Sequence, residues 1–236
     1  HDILEKSITD FLPSGDSSEM FLSMQKKSHE ILKNHPVNQA RTARGLRPAN
    51  SIWLWGEGKK PAIPKFTDKY RMKGSVVSAV DLVKGIGICA GLDSIDVEGA
   101  TGNIHTNFKG KAEAALKELQ KGKDFVYVHV EAPDECGHRF EIENKVLSIE
   151  YIDKLVVGTL LEGLEAYDGY SVMVLPDHPT PLALRTHTAE PVPYIIYRKS
   201  RKKPSGLLGY DEFQALRTGI YIEEGYTLMD RFLTHY

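Results

Sequence analysis

Short apolar runs alternate along the chain with longer amphipathic stretches. Runs rich in Val, Ile and aromatic residues predict strands over residues 51–56, 75–80, 94–97, 125–129, 171–176 and 193–197. Apolar positions at three- and four-residue intervals predict helices over residues 81–91, 109–119, 149–164 and 226–232. A more polar, helical region precedes all of them in residues 1–48.

The predicted strands are continuously apolar and are separated by helical stretches. This pattern is typical of strands that are buried on both faces, so it predicts an α/β fold with a mostly parallel sheet and helices on both faces. In the first run, Trp53 and Trp55 would point to opposite faces of a strand, and at least one of them is therefore expected in the core.

Composition narrows the function classes. The 236 residues are 41% hydrophobic and 26% charged with a formal net charge of -2, which argues against a broadly basic nucleic-acid surface. No apolar run approaches the roughly eighteen residues that a membrane helix needs. The two cysteines form no C-x-x-C pattern, which favours a reducing cytoplasm over a disulfide framework. We expect no nucleic-acid or membrane partner.

Acidic and imidazole side chains follow two of the predicted strands. Asp134 and His138 lie in a predicted loop after strand 125–129, Asp177 and His178 follow strand 171–176, and His187 comes soon afterwards. Parallel strands bring their carboxyl ends to one edge of a sheet, and these side chains suit zinc, manganese or iron. Polar residues are also common at strand ends without any ligand. Three such fragments together favour a two-metal centre.

Basic residues supply candidates for anion binding. Arg41, Arg44 and Arg47 would share a face if they were helical, and Arg185 and Lys84 could also meet a phosphate. From the sequence alone, a solvated basic surface for the three arginines and an exposed helix lysine for Lys84 are the favoured interpretations.

Three residues beside the proposed ligands have alternative interpretations. Cys136 could be a sulfur ligand or a reactive thiol, but we expect it to pack in the interior. Glu131 and Glu135 are expected to support the ligands or to be solvated, and not to bind metal directly.

These motifs resemble the alkaline-phosphatase superfamily, specifically the archaeal-type 2,3-bisphosphoglycerate-independent phosphoglycerate mutases. The resemblance covers about residues 35 to 200. It rests on Val130-Glu-Ala-Pro-Asp-Glu-Cys-Gly-His138, Leu175-Pro-Asp-His-Pro-Thr-Pro181, Arg185-Thr-His-Thr-Ala-Glu-Pro-Val-Pro193, His35-Pro-Val-Asn38, Pro48-Ala-Asn-Ser-Ile-Trp-Leu-Trp-Gly56, Ser78-Ala-Val-Asp-Leu-Val-Lys-Gly-Ile-Gly87 and Val97-Glu-Gly-Ala-Thr-Gly102.

The resemblance implies an alkaline-phosphatase-like fold and a two-metal phosphotransferase that uses manganese or zinc. It implies that Asp134, His138 and His187 hold one metal, and that Asp177 and His178 contribute to the other. The implied substrate is a small phosphorylated molecule, phosphoglycerate. Substrate contacts are implied for Lys84 and for members of the group Arg41, Arg44 and Arg47.

The sequence also departs from that family. No strand ending in an Asp-Gly ligand motif and no nucleophilic Ser or Thr segment precedes His1. The resemblance therefore implies a C-terminal portion of the family fold, incomplete at its N-terminus, with residues 1–45 as the end of a cap and residues 46–236 as the metal-binding domain. We expect the parent protein to be a mutase and this chain alone to be inactive.

Two other functions remain open at this point. One is a related metal-dependent phosphohydrolase or phosphotransferase that acts on a homoserine- or phosphonate-type substrate, since such enzymes share the metal ligands. The other is a non-catalytic domain that binds a metal or an anion.

Overall fold

The computed structural model describes residue 3, residues 6–56 and residues 58–234. The chain forms two compact units, residues 1–60 and residues 61–236. The predicted boundary after residue 45 falls within the first unit, and the assignment of residues 1–45 to a cap stays a prediction. None of the helices in the described ranges has both the length and the apolar character to cross a membrane.

The first unit is helical. A 3-10 turn, Thr9–Phe11, precedes helix α1 (Ser18–Leu32) and helix α2 (Pro36–Ala43). The buried side chain of Asn38 ties these helices to the chain that follows them. Its amide group donates to the backbone carbonyls of Leu32 and Ala49, and its side-chain oxygen accepts from the backbone N–H of Ala49.

The strand predicted over residues 51–56 is wrong. This segment has no regular structure, and the backbone N–H of Ile52 donates to the Ser28 hydroxyl instead of to a neighbouring strand. Trp55 is 68% exposed and Trp53 is only half-buried, so neither fills the core as predicted. An apolar run supplies strand propensity, but a strand also needs a partner, and this run has none in the described structure.

The second unit carries the remaining elements. In chain order they are α3 (Phe66–Tyr70), β1 (Gly74–Val77), α4 (Asp81–Cys89), β2 (Asp93–Ile95), α5 (Phe108–Gln120), β3 (Phe125–Val128), α6 (Ala132–Arg139), α7 (Ile142–Tyr151), a π-helical segment (Ile152–Val157), α8 (Gly158–Leu164), β4 (Ser171–Val174), β5 (Ile195–Arg198), α9 (Glu212–Arg217), a 3-10 turn (Gly225–Thr227) and α10 (Leu228–Thr234).

A parallel sheet with strand order β2-β1-β3 forms the centre of the second unit. Strand β1 is completely buried between two helices. The Ser75 hydroxyl donates to Glu118 of α5, whereas Val76 packs against Gly87 of α4. Successive strand residues point to opposite faces, so α4 and α5 cover opposite faces of the sheet. The predicted α/β architecture is confirmed in this part of the chain.

The second sheet differs from the prediction. Strands β4 and β5 pair in the antiparallel sense, so the parallel arrangement does not extend to them. In the described residues, β3 and β4 are not hydrogen-bonded to each other, yet both contribute to one apolar cluster. Phe125 of β3 belongs to its buried part, and Met173 of β4 packs against it. The two sheets therefore share a core.

The segment after β3 is helical, although the sequence predicted a loop. Pro133 lies in the first turn of α6, where a proline needs no hydrogen-bonded N–H and does not break the helix. The long predicted helix over residues 149–164 is present as the end of α7, the π segment and α8 in succession. Through Val156 it packs on α5, where it buries Phe108 and Ala112.

Candidate metal centre

Helix α6 places two candidate ligands on one face. Asp134 and His138 are four residues apart, which brings their side chains together one helical turn apart. Nε2 of His138 lies 3.3 Å from Oδ2 of Asp134. Both side chains are partly buried at the carboxyl end of the parallel sheet, where β3 delivers the chain into α6.

A backbone carbonyl orients the His138 ring. Nδ1 of His138 lies 2.9 Å from the carbonyl oxygen of Arg185. A carbonyl oxygen only accepts hydrogen bonds, so Nδ1 is the protonated nitrogen and Nε2 presents its lone pair toward Asp134. Arg185 itself adopts a left-handed backbone conformation with φ of 55°, which ends the turn that begins at Pro181.

His187 brings a third donor to the same place. Its Nε2 lies 3.2 Å from Oδ1 of Asp134 and 3.1 Å from Nε2 of His138. These three side chains come from two segments about fifty residues apart in the sequence. Their lone-pair atoms converge on a common point, which is the arrangement that a cation satisfies.

His178 joins this cluster from the loop after β4. Its ring lies against the ring of His187, with centroids 3.7 Å apart. One ligand atom from each of Asp134, His178 and His187 falls within 4.8 Å of the others. The resemblance had implied that His178 serves a different metal from Asp134 and His187, whereas the structure places all of them side by side.

Asp177 lies at the outer edge of this group. Its Oδ2 is 3.3 Å from Nε2 of His178, and its side chain is 61% exposed. At the end of β3, burial raises the pKa of Tyr127 and lowers that of His129. The negative charge of Asp177 is a smaller effect that adds to the first shift and opposes the second. The carboxyl ends of β3 and β4 thus present their acidic and imidazole groups to one another.

Acidic side chains surround the cluster on the α6 side. Glu131, Asp134 and Glu135 offer carboxylate oxygens within 4.8 Å of one another. Burial raises the pKa of Glu131, and the negative charges of Glu135 and Asp134 raise it further. Such a concentration of carboxylates favours a bound cation, because a positive charge offsets their mutual repulsion.

A buried lysine supports the strand end beneath these carboxylates. Lys111 of α5 is fully buried, and its Nζ donates to the carbonyl oxygen of His129 at 3.0 Å. Burial lowers the pKa of Lys111 to about 8, although the charge of Glu131 opposes this shift. The imidazole of His129 lies 3.2 Å from the hydroxyl of Ser78, which links the ends of β1 and β3.

The predicted substrate residues are divided between the two units. Lys84 lies on α4 of the second unit, where its side chain is largely covered and forms a 2.6 Å ion pair with Asp96. Arg41, Arg44 and Arg47 belong to the first unit and are exposed. Only Arg41 lies within α2, so the three arginines do not share one helical face, and Arg41 donates to the backbone carbonyl of Arg47.

Cys136 is buried on α6, and burial raises the pKa of its thiol, as does the nearby Glu141. A buried thiol with a raised pKa is neither a ready nucleophile nor a thiolate ligand, which agrees with the predicted packing role.

Comparison with known proteins identifies the family. A family model for the metalloenzyme superfamily matches residues 22–230. The chain belongs to the metalloenzyme superfamily. Within it, the chain is 48% identical to a probable 2,3-bisphosphoglycerate-independent phosphoglycerate mutase of Geobacter sulfurreducens. The match extends over 233 residues, which are 99% of this chain and 58% of that protein. A mutase of the same name from Methanothrix thermoacetophila is 46% identical over 97% of this chain and 58% of its own length.

Two solved structures are similar to the chain. The PH0037 protein from Pyrococcus horikoshii matches with a TM-score of 0.70 at 33% identity, over 84% of this chain and 51% of that one. A cofactor-independent phosphoglycerate mutase from Thermoplasma acidophilum matches with a TM-score of 0.53 at 27% identity, over 94% of this chain and 53% of that one. The resemblance inferred from the motifs is confirmed. The chain spans just over half the length of these relatives.

The donor set fits the divalent cation that the metalloenzyme superfamily implies. Carboxylate oxygen and imidazole nitrogen are ligands of zinc and manganese, and the tautomer of His138 leaves a lone pair on the nitrogen that faces the cluster. Asp134, His138 and His187 are the residues that would hold one such cation, and His178 is a further donor beside them.

Sequence reasoning missed two polar residues that support this centre. Thr180 contacts both Asp134 and His178, and the signal for it was its position two residues after His178 between two prolines. Lys111 was overlooked in a predicted surface helix. Its spacing from Phe108 and Ala115 places it on the buried stripe of that helix, so the helical period alone would have shown it.

Proposed function

We propose that this chain builds the divalent-metal centre of a 2,3-bisphosphoglycerate-independent phosphoglycerate mutase. That activity is an isomerisation of glycolysis, which interconverts 3-phosphoglycerate and 2-phosphoglycerate through a phosphoenzyme. The observation that carries the proposal is the convergence of Asp134, His138, His178 and His187 at the carboxyl ends of β3 and β4. The mutase names of relatives that match almost the whole chain support the substrate class.

Two metals, manganese or zinc, suit the oxygen and nitrogen donors of this site. A bound divalent cation would stabilise the negative charge that develops on the attacking and leaving oxygens during phosphoryl transfer. Asp134, His138 and His187 would hold one cation. His178, with Asp177 beside it, would contribute to the second.

A mutase that works through a phosphoenzyme needs a nucleophile that accepts the phosphoryl group. Thr180 contacts the ligands, but it is only 5% exposed and its hydroxyl donates a hydrogen bond to Asp134, and we assign it no nucleophilic role. We place the nucleophile in polypeptide outside these 236 residues, as the family resemblance implies. Lys84 and the arginines Arg41, Arg44 and Arg47 are proposed to bind the phosphate and carboxylate of the substrate.

We further infer a cytoplasmic location. Cys89 and Cys136 are both free thiols, which fits the reducing compartment in which glycolytic enzymes work.

The proposal is tested by assaying 3- to 2-phosphoglycerate conversion with Mn²⁺. The purified 236-residue chain should show no turnover, whereas the same chain extended upstream of His1 should be active. The His187→Ala variant of the longer protein should lose activity and serves as the control for contaminating mutase. Turnover by the short chain alone would contradict the placement of the nucleophile, and an inactive, folded longer protein would contradict mutase function.

A further inference from the structure

Thr180 occupies a junction between the segments that carry the candidate ligands. It is 5% exposed and lies in the loop between β4 and His187. Its hydroxyl donates to Oδ1 of Asp134 on α6, and the same oxygen lies 3.4 Å from Nδ1 of His178. One side chain thus contacts a carboxylate ligand and an imidazole ligand that come from different strand ends.

The proton positions follow from the chemistry of these groups. The single hydroxyl proton of Thr180 goes to the carboxylate, so its oxygen can only accept from His178. The carbonyl oxygen of Pro179 also lies 3.4 Å from Nδ1 of His178 and can only accept. Both contacts require a proton on Nδ1, which leaves the lone pair of His178 on Nε2, the nitrogen that faces Asp177.

The hydrogen bond to Asp134 fixes the rotation of that carboxylate. With Oδ1 held by Thr180, this oxygen lies 3.2 Å from His187 while Oδ2 lies 3.3 Å from His138. This hydrogen bond restricts rotation of the carboxylate about its χ2 torsion, which is broad for aspartate.

The backbone of Thr180 is itself held firmly. Its carbonyl oxygen accepts a 2.6 Å hydrogen bond from Nζ of Lys145 on α7. The same carbonyl packs on α6 at Gly137, where a Cβ atom would lie only 2.6 Å from it. Gly137 is therefore required for the close approach that brings the Thr180 hydroxyl within reach of Asp134, one turn earlier on the same helix.

We infer that Thr180 is a positioning residue of the metal centre, because it orients the Asp134 carboxylate and, together with the Pro179 carbonyl, keeps the proton of His178 on Nδ1. This inference rests on the metal centre proposed above. The ligand of this site is a divalent cation, and Thr180 acts on the affinity for that cation and on the geometry of the residues that hold it. Partners of this kind are worth about 10- to 100-fold in metal affinity.

The test compares Thr180→Val, which keeps the shape and removes the hydroxyl, with Thr180→Ser, which keeps the hydroxyl. Thr106→Val is the matched control, since Thr106 is also buried and its hydroxyl accepts from the backbone N–H of Thr101, which is not a candidate ligand. Mn²⁺ affinity of the 236-residue chain is measured by calorimetry, the visible spectrum of the Co²⁺ form reports ligand geometry, and unfolding in EDTA reports metal-free stability.

We expect Thr180→Val to weaken Mn²⁺ binding about 10- to 100-fold and to change the Co²⁺ spectrum, with Thr180→Ser and Thr106→Val close to wild type. Wild-type affinity in Thr180→Val would overturn the role of Thr180 and leave the metal centre standing. Equal losses in the Val and Ser variants would also overturn it, because the hydroxyl would then not be responsible. An absence of binding in the wild type would overturn the metal centre and the role of Thr180 together.

Discussion

At the scale of single residues, the second unit is distinguished by charged groups that are buried close to the candidate ligands. Lys111 is inaccessible to solvent, and its ammonium group donates a hydrogen bond to the carbonyl oxygen of His129. A buried ammonium group is costly unless it is paired, and Glu131 provides only part of that compensation. The stability of the fold should therefore depend on the protonation of this lysine.

The protonation of Lys111 should make the free energy of unfolding depend on pH in one direction. Burial lowers the pKa of folded Lys111 to about 8 from its usual 10.5, so between these values the unfolded chain holds a proton that the folded chain has released. The free energy of unfolding then rises with pH from about 8 to 10.5, by at most about 3 kcal/mol. Lys111→Met should lack this rise, as measured by urea unfolding between pH 7 and 10.

The control for this experiment is Lys117→Met, on the exposed side of the same helix. It should follow the wild-type pH profile. Parallel profiles for the wild type and Lys111→Met would show that the buried lysine does not control stability over this range.

At the scale of elements, the contact between α4 and β1 depends on one glycine. Gly87 is buried against Val76, and a Cβ atom at this position would lie 2.6 Å from Cγ1 of Val76. Gly85 lies on the same helix, and no atom of the described residues lies within 4 Å of the corresponding position. The two glycines therefore form a matched pair for testing how closely the helix packs on the sheet.

Gly87→Ala should destabilise the protein by about 1–3 kcal/mol, because the added methyl group forces α4 away from the strand. Gly85→Ala should be neutral or stabilise by up to about 1 kcal/mol, because alanine favours the helix. Urea unfolding measures both variants. A Gly87→Ala protein as stable as Gly85→Ala would contradict the close packing of α4 on β1.

Several elements could be predicted because their local signals and their packing agree. Strand β1 is β-branched and fully buried, and α5 carries its apolar stripe on the side that meets β1 and β3. Residues 51–56 show the limit of this reasoning, since strand propensity there is not matched by a pairing partner. The antiparallel pairing of β4 with β5 was also beyond the sequence, because pairing direction depends on tertiary contacts.

The candidate site, too, could be predicted from the sequence only in part. Asp134 and His138 could be recognised from their positions after a strand, but Pro133 suggested a loop where a helix begins. The four-residue spacing of these two residues was compatible with either structure. How His178 meets His187 could not be predicted, because their ring contact depends on the path of the loop between them. The support from Thr180 depends on the same path.

At the scale of the whole molecule, every candidate metal ligand belongs to the second unit. Asp134, His138, Asp177, His178 and His187 all lie within residues 61–236, whereas the three candidate arginines belong to residues 1–60. Metal binding is therefore expected to be a property of the second unit, and the arginines are not required for it.

The decisive measurement is divalent-metal binding by the purified chain. Calorimetric titration with Mn²⁺ and with Zn²⁺ should show at least one divalent cation bound per chain. Asp134→Ala should remove the cation held by Asp134, His138 and His187, because Asp134 contacts both histidines. Asp168→Ala, which removes an exposed carboxylate outside the cluster, should bind as the wild type does. No binding by the folded wild type, or undiminished binding by Asp134→Ala, would contradict the account.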